Sequence, residues 1–144
     1  MTNYKVHKED LLFPELSFQI VGILFEVHNT LGYGYLEKYY QKAIAALLTK
    51  AKIKFTEQAL VQIVIADEVV AKGYADFIIE DKIILEIKKG DTYKKTNIDQ
   101  LNSYLKMKKM ELGILANFTS KGLLYKRLVN LPNFPISNSP IRNS

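Results

Sequence analysis

Asp76, Glu86 and Lys88 stand on the apolar strands that flank the charged turn Glu80-Asp81-Lys82 in Ala75-Asp76-Phe77-Ile78-Ile79-Glu80-Asp81-Lys82-Ile83-Ile84-Leu85-Glu86-Ile87-Lys88. Strand interiors disfavour all three residue types, and desolvating an unpaired charge costs several kcal/mol or more, so their presence needs a chemical reason. Glu86 and Lys88 are two residues apart and therefore face the same side of a strand. Two carboxylates and an ammonium held among apolar side chains look like a metal site. The plain alternative is a solvated edge carrying stray charge. Against it, Phe77, Ile78 and Ile79 on one strand and Ile83, Ile84, Leu85 and Ile87 on the other leave no polar face, so both faces of the hairpin should be covered.

Whether Asp76 joins the pair depends on register. A two-residue turn at Asp81-Lys82 sets Asp76 opposite Ile87, on the wrong face. A three-residue loop, Glu80-Asp81-Lys82, pairs Ile79 with Ile83 and brings Asp76 opposite Glu86, with Lys88 alongside. The second geometry is expected, or a bend at Asp76 with the same effect.

The elements around this hairpin follow from apolar spacing. Glu15 to Asn29 reads as a helix with Leu16, Ile20, Ile23, Leu24 and Val27 on one face, ended by Leu31-Gly32-Tyr33-Gly34. A second helix from about Leu36 to Ala51 has Leu36, Tyr40, Ala43, Ile44 and Leu47 on its stripe, bordered by Glu37. As a first-turn acid, Glu37 also complements the helix dipole. Strands follow at Lys54 to Ile65, Val69 to Glu80 and Ile83 to Lys88. A third helix, Lys94 to Lys109, turns Ile98, Leu101, Tyr104 and Leu105 inward and holds Gln100 on the side of Tyr104. Leu112 to Phe118 and Leu123 to Val129 close the set. The third helix is the crossover that lets Leu112 to Phe118 run parallel to Ile83 to Lys88, so one mixed sheet of about five strands with helices on both sides is expected.

The chain has 144 residues and reads as one domain over 15–130, with an N-terminal extension at 1–14 and a flexible Pro, Asn and Ser-rich tail at 131–144. It has no cysteine, which excludes disulfides, thiol nucleophiles and thiolate zinc sites. The apolar run Ile20 to Phe25 is too short to span a bilayer and the N-terminus lacks a signal-peptide layout, so a soluble cytoplasmic protein without a membrane partner is expected. A formal charge of +5 makes polyanions plausible partners. Lys88, Lys89, Lys94, Lys95, Lys106, Lys108 and Lys109 gather just after the hairpin, though a solvated helix face reads the same way.

These residues resemble the PD-(D/E)XK nuclease superfamily, with Asp76 and Glu86-Ile87-Lys88 as its signature and Ala75-Asp76 in place of Pro-Asp. Further segments are similar to its GxxExxR (or GxxExxY) branch. They are Glu26-Val27-His28, Leu31-Gly32-Tyr33-Gly34-Tyr35-Leu36-Glu37-Lys38-Tyr39-Tyr40, Thr56-Glu57-Gln58, Gln100-Leu101-Asn102-Ser103-Tyr104-Leu105-Lys106, Leu115-Ala116-Asn117-Phe118 and Lys126-Arg127. Together they run from about Ile20 to Val129. Where relatives often carry Arg just before the Asp, this chain has Tyr74-Ala75.

The resemblance implies a restriction-endonuclease-like α/β/α sandwich and a nuclease dependent on Mg²⁺ or Mn²⁺, acting on DNA in preference to RNA. It assigns Asp76, Glu86, Glu37 and the Ile87 carbonyl to the metal and its water, Lys88 to the scissile phosphate, and Gln100 to Lys88 or the phosphate. Lys89, Lys94 and Lys95 are expected along the nucleic-acid backbone. Tyr104 reads equally as core. His28 and Glu26 stay outside the set, His28 as a cap or packed polar residue. A binding or structural protein that keeps the fold without cleavage is the alternative. A small-molecule enzyme lacks support, because Gly34, Gly73, Gly90, Gly113 and Gly122 stand isolated rather than forming a phosphate loop. A homodimer on the tyrosine-rich Tyr33, Tyr35, Tyr39 and Tyr40 is an assembly the sequence leaves open.

Overall fold

Two breakers bound the first helix. Pro14 fits the first helical turn, where no amide partner is lost, and Gly32 takes φ 73° to stop the chain, so α1 runs Pro14–Leu31, longer at both ends than its apolar spacing suggests. The computed structural model describes residues 12–131. After α1 come α2 (Glu37–Lys50), β1 (Phe55–Ile65), β2 (Glu68–Ile79), β3 (Ile83–Lys89), α3 (Lys95–Lys108), β4 (Leu112–Thr119) and β5 (Gly122–Val129). The expected tail lies, from residue 132 on, outside the described residues. At the other end, Leu12 and Phe13 already pack on the core and Pro14 opens α1.

The sheet has the order β1-β2-β3-β4-β5, antiparallel except for the parallel pair β3 and β4. Helix α3 makes that crossover, as its position between two buried apolar strands requires. One core holds Ile20, Leu24 and Val27 of α1 and Tyr40, Ile44 and Leu48 of α2 against Phe77, Ile79, Leu85 and Ile87. The other holds Leu101, Tyr104 and Leu105 of α3 against Ile78, Ile84 and Leu115. The layers are therefore helices, mixed sheet, helix. Leu36 departs from expectation: it caps α2 in extended conformation and is exposed, because the helix begins one residue later, at Glu37. No helix among the described residues is long and apolar enough to cross a membrane.

Strand alternation changes phase partway along β1 and β2. Phe77 and Ile79 face the α1/α2 core, yet Ala75, of the same parity, faces α3, and so do its neighbours Ala59 and Val61 on β1. The switch falls at the pair Gln58 and Asp76, which interrupts the ladder between Glu57↔Phe77 and Ala59↔Ala75. Gln58 has φ 46°, a left-handed conformation inside a strand, and this is the local bend that turns the two strands over. Beyond the switch, Gly73 lies under the Tyr104 ring: a Cβ there would stand 2.7 and 2.8 Å from ring carbons. Gly73→Ala should therefore destabilise the fold by about 1–3 kcal/mol in urea unfolding, against the small gain in strand propensity that alanine brings.

Candidate active site

The loop Glu80-Asp81-Lys82 sets the register of the hairpin. Glu80 and Asp81 both take left-handed φ (54° and 56°), and Ile79 pairs with Ile83, Ile78 with Ile84 and Phe77 with Leu85. The next position along that register sets Asp76 across from Glu86, the geometry the three-residue loop predicts. There the backbone ladder gives way to side chains. Glu86 Oε2 accepts the Asp76 N–H at 2.7 Å, and Asp76 Oδ2 accepts the Ile87 N–H at 2.9 Å. Each carboxylate thus takes the place of a carbonyl from the opposite strand, which holds the strands apart and fixes both acids where they part.

Glu37 arrives from the other side. As the first residue of α2 its carboxylate reaches the end of β3, where Oε2 accepts the Lys89 N–H at 3.0 Å. The turn before it is rigid: Gly34 takes φ 112°, and the Tyr40 hydroxyl donates to the Gly32 carbonyl at 2.6 Å while its ring stacks on Phe118 at 4.2 Å. Tyr40 is fully buried and Glu37 lies one turn before it, so the spacing of glycine, glutamate and tyrosine has a mechanical meaning. The glycine turns the chain, the tyrosine anchors the helix, and the glutamate is left at the strand end. The tyrosines of the expected dimer face are thereby reduced to Tyr33, Tyr35 and Tyr39.

Glu86 is 3 % exposed. Its carboxyl is pushed up from 4.5 to about 8, first by burial and then by the nearby Asp76 charge, with Glu37 adding to it and the Asp76 N–H and Lys88 opposing it. Burial first, then the Glu86 carboxylate, also raises the Tyr104 hydroxyl, which keeps that side chain neutral beside the acids. Lys88 is half-buried and forms no ion pair among the described residues, and the crowding of the acids is relieved by the proton that the raised Glu86 retains. Among those residues no three His, Cys, Asp or Glu side chains already converge as a metal cage. The donor set nevertheless suits a hard cation: Glu86 and Glu37 each keep one carboxylate oxygen, Oε1, outside the backbone hydrogen bonds that hold Oε2, and carboxylate oxygens are the ligands Mg²⁺ and Mn²⁺ prefer.

Gln100 lies exposed on α3 and hydrogen-bonds neither Lys88 nor a carboxylate among the described residues. Lys94 caps α3 and Lys95 pairs with Asp99 at 2.8 Å on the surface. His28 hydrogen-bonds none of the acids among the described residues; its Nε2 lies 2.8 Å from the Thr119 carbonyl and its ring stacks on Phe118.

Three contributors carried no assigned role in the sequence. Gln58 Nε2 lies 3.2 Å from Asp76 Oδ1 and 3.1 Å from Gln41 Oε1, and Gln41 Nε2 donates to Glu57 at 3.1 Å. This chain ties α2 to the one Asp76 oxygen that β3 does not hold. Its signal was present, since Gln41 lies one turn after Glu37 and Gln58 closes the Thr56-Glu57-Gln58 segment. Asn117, beside Lys88 in the β3–β4 register, donates to the Gly90 and Thr92 carbonyls and secures the loop leaving β3.

Residues 14–128 match the PD-(D/E)XK nuclease superfamily. Among solved structures, the crystal structure of SSO0001 is similar with a TM-score of 0.52 and 21% identity, over 81% of this chain and 59% of that one. This chain thus spans about three fifths of that protein's length, and the likeness bears on the fold alone. An alkaline exonuclease (LHK-Exo) from Laribacter hongkongensis gives a TM-score of 0.47 and 13% identity over 90% of this chain and 72% of that one. No curated protein matches the chain.

Proposed function

The chain belongs to the PD-(D/E)XK nuclease superfamily, with its restriction-endonuclease-like fold, and from that premise we propose that it is a metal-dependent phosphodiesterase of the GxxExxR/GxxExxY branch that hydrolyses DNA in preference to RNA. The observation that carries this reading is the reciprocal brace of Asp76 and Glu86 beside Lys88 and Glu37. In it, Asp76, Glu86 and the Ile87 carbonyl hold Mg²⁺ or Mn²⁺, with Glu37 on the metal or its water. Such a cation, when bound, lowers the pKa of a water and offsets charge on the phosphate. Lys88, a compact ammonium on a flexible stem, orients the attacking water or neutralises the phosphoryl oxygens as charge builds. Gln58 steadies the outer oxygen of Asp76. Gln100, exposed on α3, contacts the phosphate of a bound strand, and Lys89, Lys94 and Lys95 follow its backbone.

The test is cleavage of single- and double-stranded DNA and RNA with Mg²⁺, Mn²⁺ or EDTA, beside Lys88→Ala. Cleavage that needs the cation and falls about 10²–10³-fold in Lys88→Ala is expected. No cleavage of any substrate, or equal cleavage by parent and variant, would overturn this reading in favour of a binding or structural protein that keeps the fold.

A further inference from the structure

The run from Tyr33 to Tyr39 leaves Tyr33, Tyr35 and Tyr39 at 44%, 45% and 47% exposure, while the next residue, Tyr40, is fully buried. Single exposed tyrosines are ordinary, but three half-exposed rings within seven residues form a cluster. Each end of this run carries a cation against a ring: Lys89 Nζ lies 5.6 Å from the Tyr33 centroid and Lys38 Nζ 5.5 Å from that of Tyr39. Between the two pairs stands Glu37, bonded to the Lys89 N–H. Tyr35 packs edge to face with Tyr39 and Tyr40, at 87° and 90°, so the ring positions are set in advance. Alongside Tyr39 a hollow of about 400 Å³ opens between α2 and β1, lined by Lys38, Tyr39, Gln41, Lys42, Glu57 and Gln58. Its wall therefore includes the amide that holds Asp76.

We propose that this tyrosine and lysine surface binds unpaired nucleotides, so that the strand to be cut enters as single-stranded nucleic acid; the proposal rests on the phosphodiesterase reading of the adjoining site. Rings accept base faces, which a duplex keeps stacked on one another, and the lysines beside Tyr33 and Tyr39 meet the phosphates of the stacked nucleotides. Lys38 and Lys42 outnumber the one acid of the hollow, Glu57, whose carboxylate is already engaged by Gln41. The hollow then leads the strand to Asp76.

Binding is measured by fluorescence anisotropy in a Glu86→Gln background, which prevents turnover, with a labelled single strand of about twelve nucleotides and a blunt duplex of the same sequence. Tyr39→Leu and Tyr33→Leu should each weaken single-strand binding about 5- to 100-fold, and Tyr39→Phe should keep it. Both leucine variants retain apolar bulk at half-exposed positions, and unfolding curves like the parent's verify the fold. Leucine variants that bind the single strand as the parent does would overturn the proposal. So would a duplex bound more tightly than the single strand, or a Tyr39-dependent dimer that binds no nucleic acid. Tyrosine-dependent single-strand binding without cleavage under any cation would instead support this surface while removing the phosphodiesterase reading. Cleavage of duplex and single strand at one rate, unaffected by the tyrosine changes, would do the reverse.

Discussion

Glu86→Gln should lower the rate of phosphodiester cleavage about 10³-fold or more while leaving the fold intact. The amide keeps the volume of the carboxyl, and its oxygen can still accept the Asp76 N–H that Glu86 Oε2 accepts at 2.7 Å. What it loses is the negative charge, and with it the hard anionic donor for the cation. A bound cation offers several kcal/mol of transition-state stabilisation, and each 1.36 kcal/mol is tenfold in rate, which sets the size of the effect. Lys88→Ala is slow for a different reason and should separate from it. Removing the Lys88 ammonium takes away a positive charge that repels the cation, so above about pH 8, where Glu86 is ionised, cation affinity should be unchanged or higher, whereas Glu86→Gln weakens it. Single-turnover rates and calorimetric titration with Mn²⁺ read the two quantities. A Glu86→Gln protein cutting within tenfold of the parent would remove Glu86 from the reaction.

The cation-free protein should lose stability as the pH rises. Glu86 titrates at about 8 in the fold against an ordinary 4.5, so between those values the folded state holds a proton that the unfolded chain has released. Stability from this group is complete below about 4.5, falls through the interval and is gone above about 8. The raised value belongs to a carboxyl interacting with Asp76, so the loss is on the order of a few kcal/mol, roughly 10 °C in Tm. Thermal melts in EDTA from pH 5 to 9 should show this fall, and Mn²⁺ should reverse it by taking the proton's place. Glu86→Gln has nothing to titrate, so its profile should be flatter and the inactive variant should outlast the parent at pH 9. Parallel profiles for the two proteins would mean that the burial of Glu86 is relieved in solution.

The register of the hairpin was legible only through its acids: with both faces apolar, coverage leaves the two-residue turn open, and it is the need to set Asp76 on the Glu86 face that selects the three-residue loop, which the pairing of Ile79 with Ile83 matches. The parallel β3–β4 pair followed from α3 lying between two buried strands. Side-chain reach was harder to read. Helical spacing set Gln100 on the side of Tyr104, yet it cannot say how near the sheet that end of α3 lies, and Tyr104 is buried while Gln100 is exposed. Nor does composition announce a left-handed residue that is not glycine. Gln58 in β1, like Glu80 in the loop, adopts positive φ with no residue type to signal it, whereas Asp81 is of a type that tolerates it. The amide chain from Gln41 to Asp76 was hidden for that reason, although all of its members were in view.

The phase switch at Gln58 and Asp76 makes chain length, rather than residue identity, the fragile quantity in this region. A substitution in β1 changes one contact, but adding or deleting a single residue between Phe55 and Ala59 would cancel or double the inversion. Ala59 and Val61 would leave the α3 core, and Asp76 would lose the partner that turns it. Descendants of this chain should therefore vary in the exposed letters of β1 but keep Gln58, Ala59 and Val61 and the number of residues around them, with insertions collecting instead at the Ala66-Asp67 tip, where the strands have no core left to keep in step.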